Sequence, residues 1–460
     1  MKKKILLLII TILVAFTLLI FFNDNVKRNI YLLAPDKLQI IYKVIFKDKK
    51  FNTKVGNKIV ENYRKDYNVR FLPETQLIKI DFLIKELNFP NNQRIINKKD
   101  LPNLKEFNNQ YNKKNQNQTE NYYKFFIEKS ENKIIFVNDM GVVSEIEIDE
   151  LSKDGTDALS PKVIESNLSN VLVLDIHVHK DILFLSAIDK GSECMNESID
   201  LNSNVDNKKL FGNYVIFSAK INSKFYNFKN FFKSNECGKN IMGGRMKSFN
   251  LNNSDGILLT TSDSFRINGT PNLKSQNLDS IYGKTIFIDF KDKKVFKYSL
   301  GHRNPQGLLI DDKVILQTEH GPRGGDEINN IVLGNNYGWP HATYGTIYPY
   351  GTLKKPKYKK NHNSNGFEEP IFSYVPSIGI SEIIKIPNTF YPNFWQNNFL
   401  ISSLGARSLF RVKFDTNYKK ILFNEKILIG ERIRDMTYID ELNIILLSLE
   451  NSSLGILKKP

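Results

Sequence analysis

From Tyr122 onward the chain is written as short apolar runs separated by turn residues: YYKFFIEK, KIIFVND, GVVSEIEID, VLVLDIHVH, DILFLSAID, NYVIFSAKIN, GILLTTSD, KTIFIDF, KVILQTEH, FLISSLG, SLFRVKF and NIILLSLE. These runs recur every 8 to 12 residues or so, with no intervening helical periodicity, and that confines the region to an all-β fold. A sandwich, a barrel and a propeller all meet the pattern. The propeller divides the length best, because about 340 residues make six four-stranded blades of about 55 residues each, although no exact tandem repeat marks them.

The N-terminus is a separate unit. Lys2, Lys3 and Lys4 precede an uncharged, mostly apolar run from Ile5 to Phe22, which as a helix is just long enough to cross a bilayer. A cleaved signal would show a small-x-small site, whereas only Ala15 is small enough here and Phe21, Phe22 and Asn23 follow directly. The expectation is an uncleaved single-pass anchor over residues 1–23 in the cytoplasmic membrane, with the rest of the chain on the periplasmic side. Residues 24–120 read as a spacer and loop-rich segment. Within it NNQYNKKNQNQTEN (108–121) has almost nothing to bury, while VRFLPETQLIKIDFLIKELNF (69–89) fits a strand or a short helix. The propeller is expected over 121–460.

The formal charge is +16, but the lysines are scattered among Asn and Ile and no nucleic-acid module is present, so nucleic acid is set aside as a partner. Cys194 and Cys237 are the only cysteines. In an oxidising compartment such a pair is expected as a disulfide, and two sulfurs without matching histidine spacing do not make a zinc site.

Four segments carry a resemblance: GHRNPQG (301–307), EHGPRGGDE (319–327), GNNYGWP (334–340) and RIRD (432–435). LDIHVHKD (174–181) and GGRM followed by DGILLTTSD extend it. In order and spacing they resemble the glucose/sorbosone dehydrogenase family, and in particular its soluble aldose dehydrogenases that use pyrroloquinoline quinone (PQQ). The resemblance covers about 125–455. It implies a six-bladed β-propeller, a PQQ cofactor with Ca2+, and a sugar or related alcohol as substrate; the electron acceptor stays unnamed.

A quinone with three carboxylates needs fixed cations, and Arg presents a planar fork of donors that matches a carboxylate. Arg303, Arg432 and Arg434 fit that need, and Arg432 and Arg434, two apart on a strand, share a face. The resemblance adds Asn304, Asp326 and Ser373 to the cofactor site and gives Arg303 a catalytic role. Calcium accepts backbone oxygens, and a Gly-Pro turn leaves a carbonyl free to face one. His320 and Gly321 then match the backbone ligands of the cofactor's calcium, and Glu327 a position associated with a second, structural one. Trp339 and Tyr337 read as packing residues rather than sugar platforms.

The departures concern the chemistry. The histidine that opens the family's HxGGR motif is its general base, and Ile241 stands in its place. Ile cannot take a proton, and removal of a hydride from a sugar carbon requires one to be accepted. Asp263 matches the acid that orients the missing histidine, and as an unpaired, desolvated carboxyl it could itself serve as base. A family lysine falls on Gly405, with Arg407 as a substitute two residues later, and a family glutamine falls near Asn170. His177 and His179 read as structural or surface residues, and His302 as part of the GHRNPQG turn that it helps to shape. Two functions follow: an active PQQ dehydrogenase, or a catalytically inactive propeller of the same family acting as a binding or structural module.

Overall fold

In a computed structural model the described residues are 81–87, 124–152, 158–190, 211–221, 224–239, 242–263, 273–312, 314–346, 358–390 and 395–458. They form six sheets arranged as the blades of a propeller, antiparallel throughout except where Phe225–Tyr226 adds a short parallel edge to Lys162–Ser166. The innermost strands are Phe125–Ser130, Val171–His179, Gly243–Leu251, Pro305–Asp311, Ile380–Lys385 and Ile433–Ile439, for blades 1 to 6 in chain order, and neighbours touch around a closed ring.

The apolar runs are nearly continuous because a blade is covered on both faces, and successive strand residues point to opposite ones. Phe125 and Ile127 pack toward blade 6 with Ile439, Leu446 and Ile456. Phe126, between them, packs toward blade 2 with Val173 and Leu183. A cluster of this kind fills each of the six gaps between blades.

The ring is closed by a strand that sequence reading placed in the segment before the propeller. Asp81–Glu86 runs antiparallel to Ser453–Lys458, from Asp81 opposite Lys458 to Glu86 opposite Ser453, and completes blade 6. The run at 69–89 therefore holds a strand, and the propeller draws on residues before 121. The expected anchor at 5–22 and the polar stretch at 108–121 lie outside the described residues, among which no helix is long and apolar enough to cross a membrane. Cys237 is disulfide-bonded; Cys194, the only other cysteine in the sequence, lies outside the described residues.

A polar hub occupies the axis. Arg245, buried, donates Nη1 to Asp175 at 2.9 Å and to Asp435 at 3.1 Å, with Glu382 at 2.8 Å. Its Nε reaches the Gln306 carbonyl at 2.7 Å and its Nη2 the Arg434 carbonyl at 2.8 Å. Asp435 also accepts the Ile127 N–H at 2.9 Å, so every inner strand contributes to the hub. The glycines before Arg245 explain how a guanidinium reaches the axis. Gly244 has φ of +89°, and a Cβ there would stand 2.4 Å from Leu174 Cβ.

Four acids, Asp175, Glu382, Asp435 and Glu128, act on the buried cations Arg245 and Lys247. Carboxylates outnumber cations, and burial, only partly offset by Arg245, pushes the Asp175 carboxyl up to about 8. An unfolded Asp titrates near 4. The folded state therefore holds an extra proton between those values, and the stability this contributes is full below about pH 4 and lost as pH rises through about 8. Arg245→Met leaves those acids uncompensated and is expected to cost about 3–5 kcal/mol near pH 8 and less near pH 5, measured by denaturant unfolding.

Candidate active site

The hub residues all lie within the first five positions of their strands, so the six inner strands start on the same face of the ring. That face carries most of the residues singled out in the sequence. Arg432 and Arg434 share one partner there: Glu450 accepts Arg432 Nε through one oxygen and Arg434 Nε, at 3.0 Å, through the other. Burial alone would raise the Glu450 carboxyl, but Arg434 and Arg432 outweigh it and hold it at about 2. The two arginines thus do act at one place, as their spacing implied.

Gln306 links this pair to the hub. Its side-chain oxygen accepts Arg434 Nη1 at 3.1 Å while its backbone carbonyl holds Arg245 Nε. Sequence reading assigned roles to neither Glu450 nor Gln306. An acid ending the otherwise apolar run NIILLSLE, one hairpin away from RIRD, was the available signal.

Arg303 lies over the Trp339 ring, 5.3 Å from its centroid, and donates Nη1 to the His320 carbonyl at 2.9 Å. Its Nε is buried and has no hydrogen-bond partner among the described residues. His302 beneath it is fully buried, bonded to Ser299 and Glu319 and stacked on Tyr337 at 4.8 Å, which bears out the structural reading of both rings. Asn304 accepts Gln306 Nε2 at 2.9 Å and, through its carbonyl, the His320 N–H at 3.0 Å. His320 donates Nε2–H to the Ile380 carbonyl, which leaves Nδ1 as an acceptor. Burial lowers the His320 pKa, with Arg303 and Arg434 acting the same way, so the ring is neutral.

The structure adds to four expectations. Asp263 is not unpaired: the Trp339 indole N–H donates to its Oδ2 at 2.6 Å, and its own N–H binds the Arg303 carbonyl at 2.8 Å. A carboxylate held this way is a poorer base, since the hydrogen bond favours its charged form. Trp339, read as packing, is buried and also supplies this bond. Asp326, expected at the cofactor, spends both carboxylate oxygens on bonds within the protein. It is fully buried, and its two oxygens accept Gly321 N–H, Ser377 Oγ, Ile378 N–H and Ile380 N–H, tying the GPRGGDE loop to the entry of blade 5. Ser373 is in the outermost strand of blade 4, opposite Glu327, rather than at the start of an inner strand; its Oγ is buried and partnerless.

A lysine at 405 would not fit without movement. A Cβ there would stand 2.8 Å from the Ile378 carbonyl, which explains Gly at that position. Arg407 sits in the same turn with φ of 50°, its Nη1 3.5 Å from the Gly430 carbonyl. Ile241 lies outside the described residues.

Of the proposed calcium ligands, the His320 carbonyl is engaged by Arg303, whereas the Gly321 carbonyl accepts no hydrogen bond among the described residues. Glu327 is buried, and burial, reinforced by Glu319 and Glu369, raises its carboxyl well above the usual range. Asn329 Oδ1 and His362 Nε2 nearby have no hydrogen-bond partner. Oxygen donors around unneutralised acids suit a hard cation. Even so, no group of three or more His, Cys, Asp or Glu side chains is arranged to hold a metal among the described residues.

The profile of the glucose/sorbosone dehydrogenase family matches residues 203–457. The aldose sugar dehydrogenase YliI of Escherichia coli (strain K12) is 32% identical over 179 residues, 35% of this chain and 47% of that one. Quinoprotein glucose dehydrogenase B of Acinetobacter calcoaceticus is 60% identical over 46 residues, 10% of either chain. The chain thus spans less than half the length of these curated relatives. The crystal structure of the soluble aldose sugar dehydrogenase from Escherichia coli in the apo-form superposes with a TM-score of 0.56 at 19% identity, covering 74% of this chain and 96% of that one, a likeness of fold.

Asp326→Asn replaces one acceptor oxygen by a donor in front of backbone N–H groups. It is expected to lower the stability of the ligand-free protein by about 3 kcal/mol in urea unfolding, whereas a residue that only touched a cofactor would leave it unchanged.

Proposed function

Because the chain belongs to the glucose/sorbosone dehydrogenase family, we propose that it is a PQQ-dependent dehydrogenase that oxidises a sugar or related alcohol at the face where the inner strands begin. The observation that carries this reading is the gathering of Arg303, Arg432 and Arg434 there, with Arg303 Nε buried and unpartnered. A buried donor without an acceptor is costly and is satisfied by an anionic ligand. One relative's name makes it a quinoprotein, which supports the same cofactor. Bound PQQ would supply a hydride-accepting dicarbonyl. The chain's own residues then hold its carboxylates: Arg432 and Arg434 as a pair fixed by Glu450, Arg303 from above Trp339, and Arg407 from the neighbouring turn.

The calcium reading rests on the free Gly321 carbonyl and on the crowded acid at Glu327. Membrane attachment through residues 1–23, with the propeller on the periplasmic side, rests on the Lys2–Lys4 and Ile5–Phe22 pattern. The substrate proton is the open step. The neutral His320 keeps an acceptor nitrogen, while Asp263 already receives the Trp339 indole. That bond, together with Ile241, favours a second reading in which the cavity binds the cofactor and turns over little.

Dye reduction with an aldose, measured on the full-length chain supplied with PQQ and calcium, decides between them. Ile241→His is expected to raise turnover by about 10²–10⁴-fold, the usual contribution of a positioned base. Equal turnover in the two proteins would mean that another group already accepts the proton, and His320→Gln would then abolish it.

A further inference from the structure

Two lysines stand at the seam between blades 1 and 2, where Asp139 is the acid that acts on both. Lys124 immediately precedes the inner strand of blade 1, and its carbonyl accepts the Asp139 N–H at 2.9 Å; the Asp139 carbonyl in turn accepts Val173 N–H at 2.9 Å, on the inner strand of blade 2. Lys190 is held to the same place by its N–H, 3.2 Å from the Asn170 carbonyl. Both side chains are half-buried, and neither ammonium makes a hydrogen bond or close ion pair among the described residues. Lys124 acts electrostatically on Arg434, Glu450, Asp139 and Arg432, so it belongs to the face already described. Lys190 acts on Asp139.

The charges there do not balance. Arg432, Arg434, Lys124 and Lys190 face Glu450 and Asp139. Glu450 is already committed to both arginines, which leaves Asp139 as the acid that acts on both ammoniums. Burial lowers the pKa of each lysine, so keeping them charged costs stability in the empty protein. An anion that enters the seam offsets that cost. At Gly405 a Cβ would stand 2.8 Å from the Ile378 carbonyl, so that turn supplies no cation of its own at this position.

We propose that Lys124 and Lys190 form an anion subsite at this face of the ring that takes a carboxylate of the bound ligand, either one of the quinone's or that of an acidic sugar. The proposal deepens the PQQ-dehydrogenase reading and rests on it. The test measures binding of PQQ, D-glucuronate and D-glucose to the full-length wild type, to Lys124→Gln/Lys190→Gln and to Lys124→Arg/Lys190→Arg, with the melting temperature of each empty protein.

The Gln variant is expected to melt higher when empty and to lose at least about tenfold in affinity for PQQ or glucuronate but not for glucose, with the Arg variant close to wild type. Loss confined to PQQ assigns the subsite to the cofactor; loss confined to glucuronate assigns it to the substrate. Wild-type affinity of the Gln variant for both anions overturns the subsite and leaves the family reading standing, while a wild type that binds neither PQQ nor glucuronate overturns both. A lower melting temperature of the empty Gln variant also overturns it, since the ammoniums would then be structural.

Discussion

The Arg245 guanidinium on the axis is the interaction on which the rest of the molecule depends. Apolar clusters hold each blade to its neighbours, but such contacts are non-directional and do not fix how far one blade slides along the next. Arg245 does, because its donors end on strands or side chains of blades 2, 4, 5 and 6, and Asp435 carries the connection on to blade 1. A buried charge network is poor evidence for net stability and better evidence for a specified arrangement. Here the arrangement specified is the alignment of six strand starts, and Arg303, Arg432 and Arg434 stand at or just before two of them.

That alignment has a direct chemical consequence. Gln306 ties the hub to Arg434, and Glu450 ties Arg434 to Arg432, so the guanidinium pair is positioned before any ligand arrives. Arg303 is positioned separately, by Trp339 and the His320 carbonyl, with one donor left over. Rigid, preplaced donors avoid the entropy of ordering long side chains on binding. The excess positive charge at Lys124 and Lys190 follows the same logic: a local cost in the empty protein that a ligand recovers.

Much of this was legible in the sequence. Continuous apolar runs with turns pointed to the all-β class, and the motifs with their glycines and arginines fall on one face of the ring. What escaped were pairings between residues far apart in sequence. Asp81–Glu86 looks like any alternating segment until Ser453–Lys458 offers an edge to pair with. Asp326 sits in a motif that speaks of a cofactor, yet its acceptors are consumed by N–H groups some fifty residues later, around Ile378 and Ile380. Asp263 seemed to have lost its partner with Ile241, but Trp339, seventy-six residues on, supplies one. In each case the pairing that decides what the residue does is a long-range one.

The central claim is that the face where the inner strands begin is a preformed cation site for a polycarboxylate quinone. Calorimetric titration of PQQ into the full-length chain tests it most directly, with Arg434→Gln alongside. The account predicts one PQQ bound per chain, weakened at least about tenfold in the variant, for the loss of a charge-assisted pair. No binding to the wild type, or equal affinity in the two proteins, would contradict it.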